Sequence, residues 1–107
     1  MKLLTRSEEL ILLAVLGLGD DAYCVPIHKR ISRTTGDEWS LGSIYMPLDR
    51  LVKKGYLESR LSDSTPQRGG RHKRIYRVTR SGLRALREVQ DVSRKLREEA
   101  AGLPEEI

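Results

Sequence analysis

Two groups of residues in this 107-residue chain have the chemistry to bind something. The first is cationic. No acidic residue stands between Asp63 and Glu88, whereas Arg68, Arg71, Lys73, Arg74, Arg77, Arg80, Arg84 and Arg87 all do. That stretch carries +8 in a chain whose net charge is +5, which leaves the remainder at −3. A concentrated basic segment on an acidic body is the footprint of a polyanion-binding surface, although a solvated basic face has the same composition. The second group is Cys24 and His28, four apart on a candidate helix, with Asp20, Asp21 and His72 as further donors. Two soft ligands without CxxC spacing favour a half-buried thiol and a surface histidine over zinc or copper, so neither a metal nor a cofactor is expected.

Catalytic chemistry lacks candidates. The sequence has only two histidines, no phosphate loop, no Ser/His/Asp or Cys/His arrangement and no paired carboxylates at a plausible active site, so the chain is not expected to be an enzyme. Tyr45 reads as a core or groove-edge aromatic rather than a catalyst, and Trp39 as an anchor for the helix that follows it rather than a ligand contact. With 38% hydrophobic and 33% charged residues, the composition suits one small soluble domain. The longest apolar run, Leu10 to Leu16, is too short to cross a bilayer. No signal peptide is evident at the N-terminus, and the single cysteine allows no internal disulfide. These features point to a cytoplasmic protein without a membrane partner.

The elements that must position the basic stretch follow in a simple order. Thr5 and Glu8 have capping-box spacing and open a helix from Arg6 to Leu18 that stops at Gly19. From Leu10 to Leu16 this helix is apolar on every side. Such a helix needs cover all round, so one side is expected to pack on the core and the other on a second copy of the chain. A second helix spans about Val25 to Thr35, with Pro26 in its first turn and Ile27 and Ile31 buried. Ser40 caps a third, Leu41 to about Lys54, closed by Gly55. There Leu41, Ile44, Leu48, Leu51 and Val52 follow the helical period toward the core, despite Pro47 in the interior. Gly42, Ser43, Met46, Asp49, Arg50 and Lys53 face outward, and small polar groups followed by cations suit a major groove flanked by phosphates.

Two strands come next, about Leu57 to Leu61 and Arg74 to Thr79, with Tyr76 and Val78 inward. The loop between them is glycine-rich and basic at Arg68, Gly69, Gly70, Arg71, His72 and Lys73. A last helix, about Arg80 to Ala101 with Thr79 as N-cap, carries Val89, Val92 and Leu96 at spacing suited to a helix partner. An acidic tail closes the chain.

The stretches WSLGSIYMPLDRLVKKGYLESR and GGRHKRIYRVTRSGLRAL, with LLAVLGLGDDAYCVPIHKRI before them, resemble the PadR-like family of winged-helix bacterial transcription regulators. The likeness covers nearly the whole chain and rests on Gly42-Ser43-Ile44-Tyr45, Leu48, Leu51, Gly55, Gly70-Arg71, Lys73-Arg74, Tyr76, Thr79 and Gly82. It implies a mainly α fold with a small β-hairpin: a winged helix-turn-helix over 1–79 and a C-terminal dimerisation helix with a short tail over 80–107. It implies a sequence-specific regulator, usually a repressor, that binds double-stranded DNA as a homodimer. Ser40, Gly42, Ser43, Tyr45, Met46, Arg50 and Lys53 would then serve the third helix in a major groove. Arg68, Gly69, Gly70, Arg71, His72, Lys73 and Arg74 would serve the wing, on the backbone or in a minor groove. Leu4, Ile11, Leu12, Val15, Val89, Val92 and Leu96 would join two copies.

Two departures from the family matter. The final helix has no aromatic side chain, so the flat-drug binding of some short relatives is not carried over, and a longer second dimerisation domain is absent. A small-molecule inducer of unknown identity stays open, as do a protein-binding winged-helix module and a metal-responsive regulator as alternative readings.

Overall fold

A computed structural model describes residues 2–62 and 73–100. Helix α1, Arg6–Leu18, begins with both halves of the capping box: Thr5 Oγ1 accepts from the Glu8 amide at 3.1 Å, and the Thr5 amide donates to Glu8 Oε1 at 2.8 Å. Its buried side is Ile11, Leu12, Ala14 and Val15. Gly19 takes φ 58°, a conformation open to glycine, and ends the helix in a single 3-10 turn, Gly19–Asp21.

Helix α2 is Cys24–Thr35, packed through Ile27 and Ile31, and Gly36 at φ 77° stops it. Helix α3 is Leu41–Lys53, where Ser40 Oγ accepts from the Ser43 amide at 3.1 Å. Its exit satisfies the last carbonyls in a Schellman arrangement: the Tyr56 amide donates to Leu51 O at 2.9 Å and the Gly55 amide to Val52 O at 3.0 Å, with Gly55 at φ 82°. Pro47 lies inside α3 and is buried.

That proline corrects the expected core face of α3. The buried arc is Ile44, Pro47, Leu48 and Leu51, turned away from Val52, which is only half-buried, and from Leu41, which is 57% exposed. The whole first turn, Leu41 to Ser43, stands clear of the core.

Strands β1, Leu57–Leu61, and β2, Arg74–Val78, pair antiparallel with Leu57 opposite Val78 and Leu61 opposite Arg74. Leu57 and Tyr76 turn into the core, while Val78 is half-buried. The Tyr76 amide donates to Ala22 O at 2.8 Å, so the hairpin is stitched to the turn before α2. Helix α4, Arg80–Glu99, starts at Thr79, whose Oγ1 donates to Gly55 O at 2.6 Å and accepts from the Gly82 amide at 3.1 Å. A Cβ on Gly82 would lie 2.3 Å from Tyr56 O and 2.8 Å from Val78 Cγ1, so only glycine lets α4 approach the hairpin this closely. Leu86 is buried and Val89 packs against the core, but beyond them α4 is largely exposed.

Candidate nucleic-acid interface

The outward face of α3 carries the sequence-predicted reading residues Gly42, Ser43, Tyr45, Met46, Arg50 and Lys53, and all are exposed, as is the capping Ser40. Tyr45 is therefore no core aromatic, at 53% exposure, and Met46 reaches 63%. Within this face Ser40 Oγ and Ser43 Oγ hydrogen-bond to each other at 2.8 Å, and Lys53 pairs with Asp49 at 3.0 Å. Arg50 makes no ion pair among the described residues, which leaves its guanidinium available.

What holds α3 in place is the turn before it. The Trp39 amide donates to Ser32 Oγ at 3.2 Å and its indole Nε1 donates to Thr35 Oγ1 at 3.1 Å. His28 Nε2 hydrogen-bonds to the Trp39 carbonyl. Trp39 thus anchors the helix start, and His28 has a structural task. Burial pushes the Cys24 thiol above its ordinary pKa, the direction of an unreactive thiol. No group of three His, Cys, Asp or Glu suited to a metal ion occurs among the described residues.

At the other end of α3, Lys54 Nζ donates to Glu8 Oε2 at 2.7 Å. Glu8 is 2% exposed. Burial alone would raise its carboxyl pKa, but the Lys54 ammonium and the Thr5 amide outweigh burial and hold it below the ordinary carboxylate value. The sequence reading assigned Glu8 a capping role alone; its tie to Lys54 spans 46 positions, which no local pattern reveals.

The wing is described only at its base. Arg68, Gly69, Gly70, Arg71 and His72 lie outside the described residues. Lys73 is half-buried, its Nζ 3.8 Å from the centroid of the Tyr23 ring. Its backbone exchanges hydrogen bonds with Ser62: the Ser62 amide donates to Lys73 O at 2.7 Å and the Lys73 amide to Ser62 Oγ at 3.0 Å. Arg74 is exposed and donates to Ser59 Oγ at 3.0 Å. Arg77 is matched by Glu58 across the hairpin. Arg60 on β1 is a further exposed cation that the charge reading passed over, because it precedes Asp63.

The residues expected to join two copies divide unevenly. Leu4, Ile11, Leu12 and Val15 are at most 8% exposed and belong to the protomer's own core. The reason is that α1 is flanked by α2, α3, β2 and α4, which together cover that side. The apolar residues α1 and its approach leave outside are Leu3, Leu13 and Leu16, at 39%, 40% and 46% exposure. On α4, Val89 and Val92 are half-buried and Leu96 is 59% exposed.

Residues 12–88 match the model of the Transcriptional regulator PadR-like family. The chain belongs to that family. It is similar to the padr family transcriptional regulator from Eggerthella lenta DSM 2243, at 27% identity and TM-score 0.67 over 85% of this chain and 77% of that one. The PadR-like transcription factor from Bacteroides fragilis superposes with TM-score 0.70 at 24% identity, covering 89% of both chains. A PadR family transcription regulator from hypervirulent Clostridium difficile does so with TM-score 0.68 at 22% identity, over 88% of this chain and 93% of that one. No curated protein matches. Among the described residues, four α-helices and a two-stranded antiparallel hairpin in this order form the winged helix of these regulators. The chain is a DNA-binding transcription regulator and not an enzyme. None of its described helices is long and apolar enough to cross a membrane.

Proposed function

We propose that the chain represses transcription as a homodimer, with α3 entering a major groove and the wing, residues 62–73, lying on the adjacent backbone or minor groove. The observation that carries this reading is the free first turn of α3: Leu41, Gly42 and Ser43 are all exposed, and the exposed cations Arg50, Lys53 and Arg74 stand on the same helix and at the hairpin base. A protruding helix start with small residues meets base edges, and flanking cations meet phosphates. Residues 1–79 form the DNA-binding unit in this reading, and 80–107 with the outer side of α1 join the two copies. The apolar outer residues Leu3, Leu13, Leu16 and Leu96 support a partner there.

The experiment is selection of genomic fragments by the purified protein, followed by transcription from a promoter carrying the selected site. Protein added at saturating concentration is expected to lower the transcript. An unchanged or increased transcript from an occupied site contradicts repression.

A further inference from the structure

We propose that α3 reads its operator chiefly through the 5-methyl groups of thymine, with Leu41, Tyr45 and Met46 as the contacting side chains. The inference rests on the reading of α3 as the major-groove helix and specifies what that helix recognises. Base pairs are told apart in the major groove by two kinds of contact. One is hydrogen bonding, for which arginine or lysine suits guanine, asparagine or glutamine suits adenine, and a carboxylate suits cytosine. The other is apolar contact with the thymine methyl.

The first two turns of α3 are poor in the first kind. From Leu41 to Pro47 there is no Arg, Lys, Asn, Gln, Asp or Glu. The polar groups there are the Tyr45 phenol and the Ser43 hydroxyl, which shares a hydrogen bond with Ser40 Oγ at 2.8 Å and keeps capacity for one further contact. Downstream, Asp49 is occupied by Lys53 at 3.0 Å. Apolar surface is what the same turns expose: Leu41 at 57%, Tyr45 at 53% and Met46 at 63%. Leucine and methionine side chains gain from burial when a partner covers them. Leu41 is also at a position that the helical period alone would have sent inward, yet it lies outside the buried arc of Ile44, Pro47, Leu48 and Leu51. A Cβ on Gly42, between them, would meet nothing closer than Ser40 Oγ at 4.0 Å, so the helix backbone itself is open to close approach. An apolar, sparsely donating helix start followed by the cation Arg50 fits a groove floor studded with methyl groups and walled by phosphates.

The test uses the tightest duplex that the full-length protein selects from a random pool, synthesised with thymine and again with uracil at chosen positions. Uracil keeps every hydrogen-bonding group and removes only the methyl. At fixed salt, replacing thymine by uracil at the contacted positions is expected to weaken binding about fourfold per methyl, from the ~0.8 kcal/mol typical of one buried carbon. Leu41→Ala and Met46→Ala are expected to bring the thymine-to-uracil ratio close to one, while Ser43→Ala leaves it as in the parent. All three positions are exposed, so melting temperatures near the parent's are expected to accompany these results. Equal binding of thymine and uracil duplexes by the parent protein overturns the methyl reading while leaving DNA recognition standing. Selection of no preferred duplex overturns the recognition reading itself, and a ratio that survives Leu41→Ala, Tyr45→Ala and Met46→Ala overturns the assignment of the methyl contact to these side chains.

Discussion

The ammonium of Lys73, the last residue before β2, lies 3.8 Å from the centre of the Tyr23 ring, the residue that opens α2. With the Tyr76 amide bonded to Ala22 O at 2.8 Å, this contact ties the base of the wing to the helix-turn-helix at two neighbouring points. A lysine that the charge pattern offered as a phosphate contact thereby acquires a positioning role.

The first prediction follows from that geometry. A partly exposed cation–π contact is worth about 0.5–1 kcal/mol. Lys73→Ala and Tyr23→Leu are each expected to weaken DNA binding two- to fivefold, and the double variant by little more than either. Lys73→Arg, which keeps the cation, is expected to bind like the parent. The log–log salt slope is expected to stay constant in all of them. A slope flattened by about 0.9 for each wing in Lys73→Ala would instead make this residue a direct phosphate ligand.

A second prediction concerns the buried carboxylate that joins α1 to the end of α3. Lys54→Met leaves Glu8, 2% exposed, without its cation and is expected to cost about 2–3 kcal/mol, measured by urea unfolding. Because the folded protein holds the Glu8 pKa below its unfolded value, this contribution is present above the unfolded pKa and is lost as pH falls through the folded one. The stability difference between parent and Lys54→Met is therefore expected to be largest near neutral pH and to shrink as Glu8 is protonated. Equal urea midpoints for parent and variant at neutral pH would show that the pair contributes nothing.

Gly82 gives a prediction in which two effects oppose each other. Helix propensity alone favours alanine over glycine by about 0.8–1.0 kcal/mol. The new Cβ would sit 2.3 Å from the Tyr56 carbonyl oxygen, backbone that cannot swing aside. Overpacking of this kind costs about 1–3 kcal/mol, so Gly82→Ala is expected to lower the melting temperature. A raised melting temperature would mean that α4 can move off the hairpin freely.

How much of this was legible in the sequence depends on the range of the interaction. Local signals performed well: the Thr5–Glu8 box, the Ser40 and Thr79 caps and the glycines 19 and 55 placed the starts of α1, α3 and α4 and the ends of α1 and α3 within about one residue, because these devices act within one turn. Reading α1 as apolar all round was right in composition. It could not separate Ile11, Leu12 and Val15, which the protomer buries, from Leu13 and Leu16, which it leaves exposed, since that depends on which elements come to lie around the helix. The same holds for Leu41, which lies outside the buried arc that includes Pro47. The Lys54–Glu8 pair and the Lys73–Tyr23 stack join residues 46 and 50 positions apart and had no sequence signature.

The exposed apolar residues of α1 and α4 give a fourth prediction. Leu13→Asp and Leu96→Asp place charge on exposed apolar residues of α1 and α4, and are expected to turn a dimer into monomer at micromolar concentration by light scattering, with folding intact by circular dichroism. Ile11→Asp, at a residue with 0% exposure, is expected to unfold the protomer instead. A parent protein that is monomeric at micromolar concentration would contradict the assembly.

The account stands or falls on α3 as the reading element. The direct measurement is competition binding at fixed salt between the selected operator and scrambled DNA, for the parent, Ser43→Ala, Met46→Ala and Arg50→Ala. Arg50 lies well along the helix, away from the N-terminal end through which helix-turn-helix proteins generally contact base edges, so its loss is expected to weaken both duplexes alike. Ser43→Ala and Met46→Ala are expected to lower the ratio of operator to scrambled affinity. A ratio that both substitutions leave intact would contradict the assignment of α3 as the helix that reads the operator.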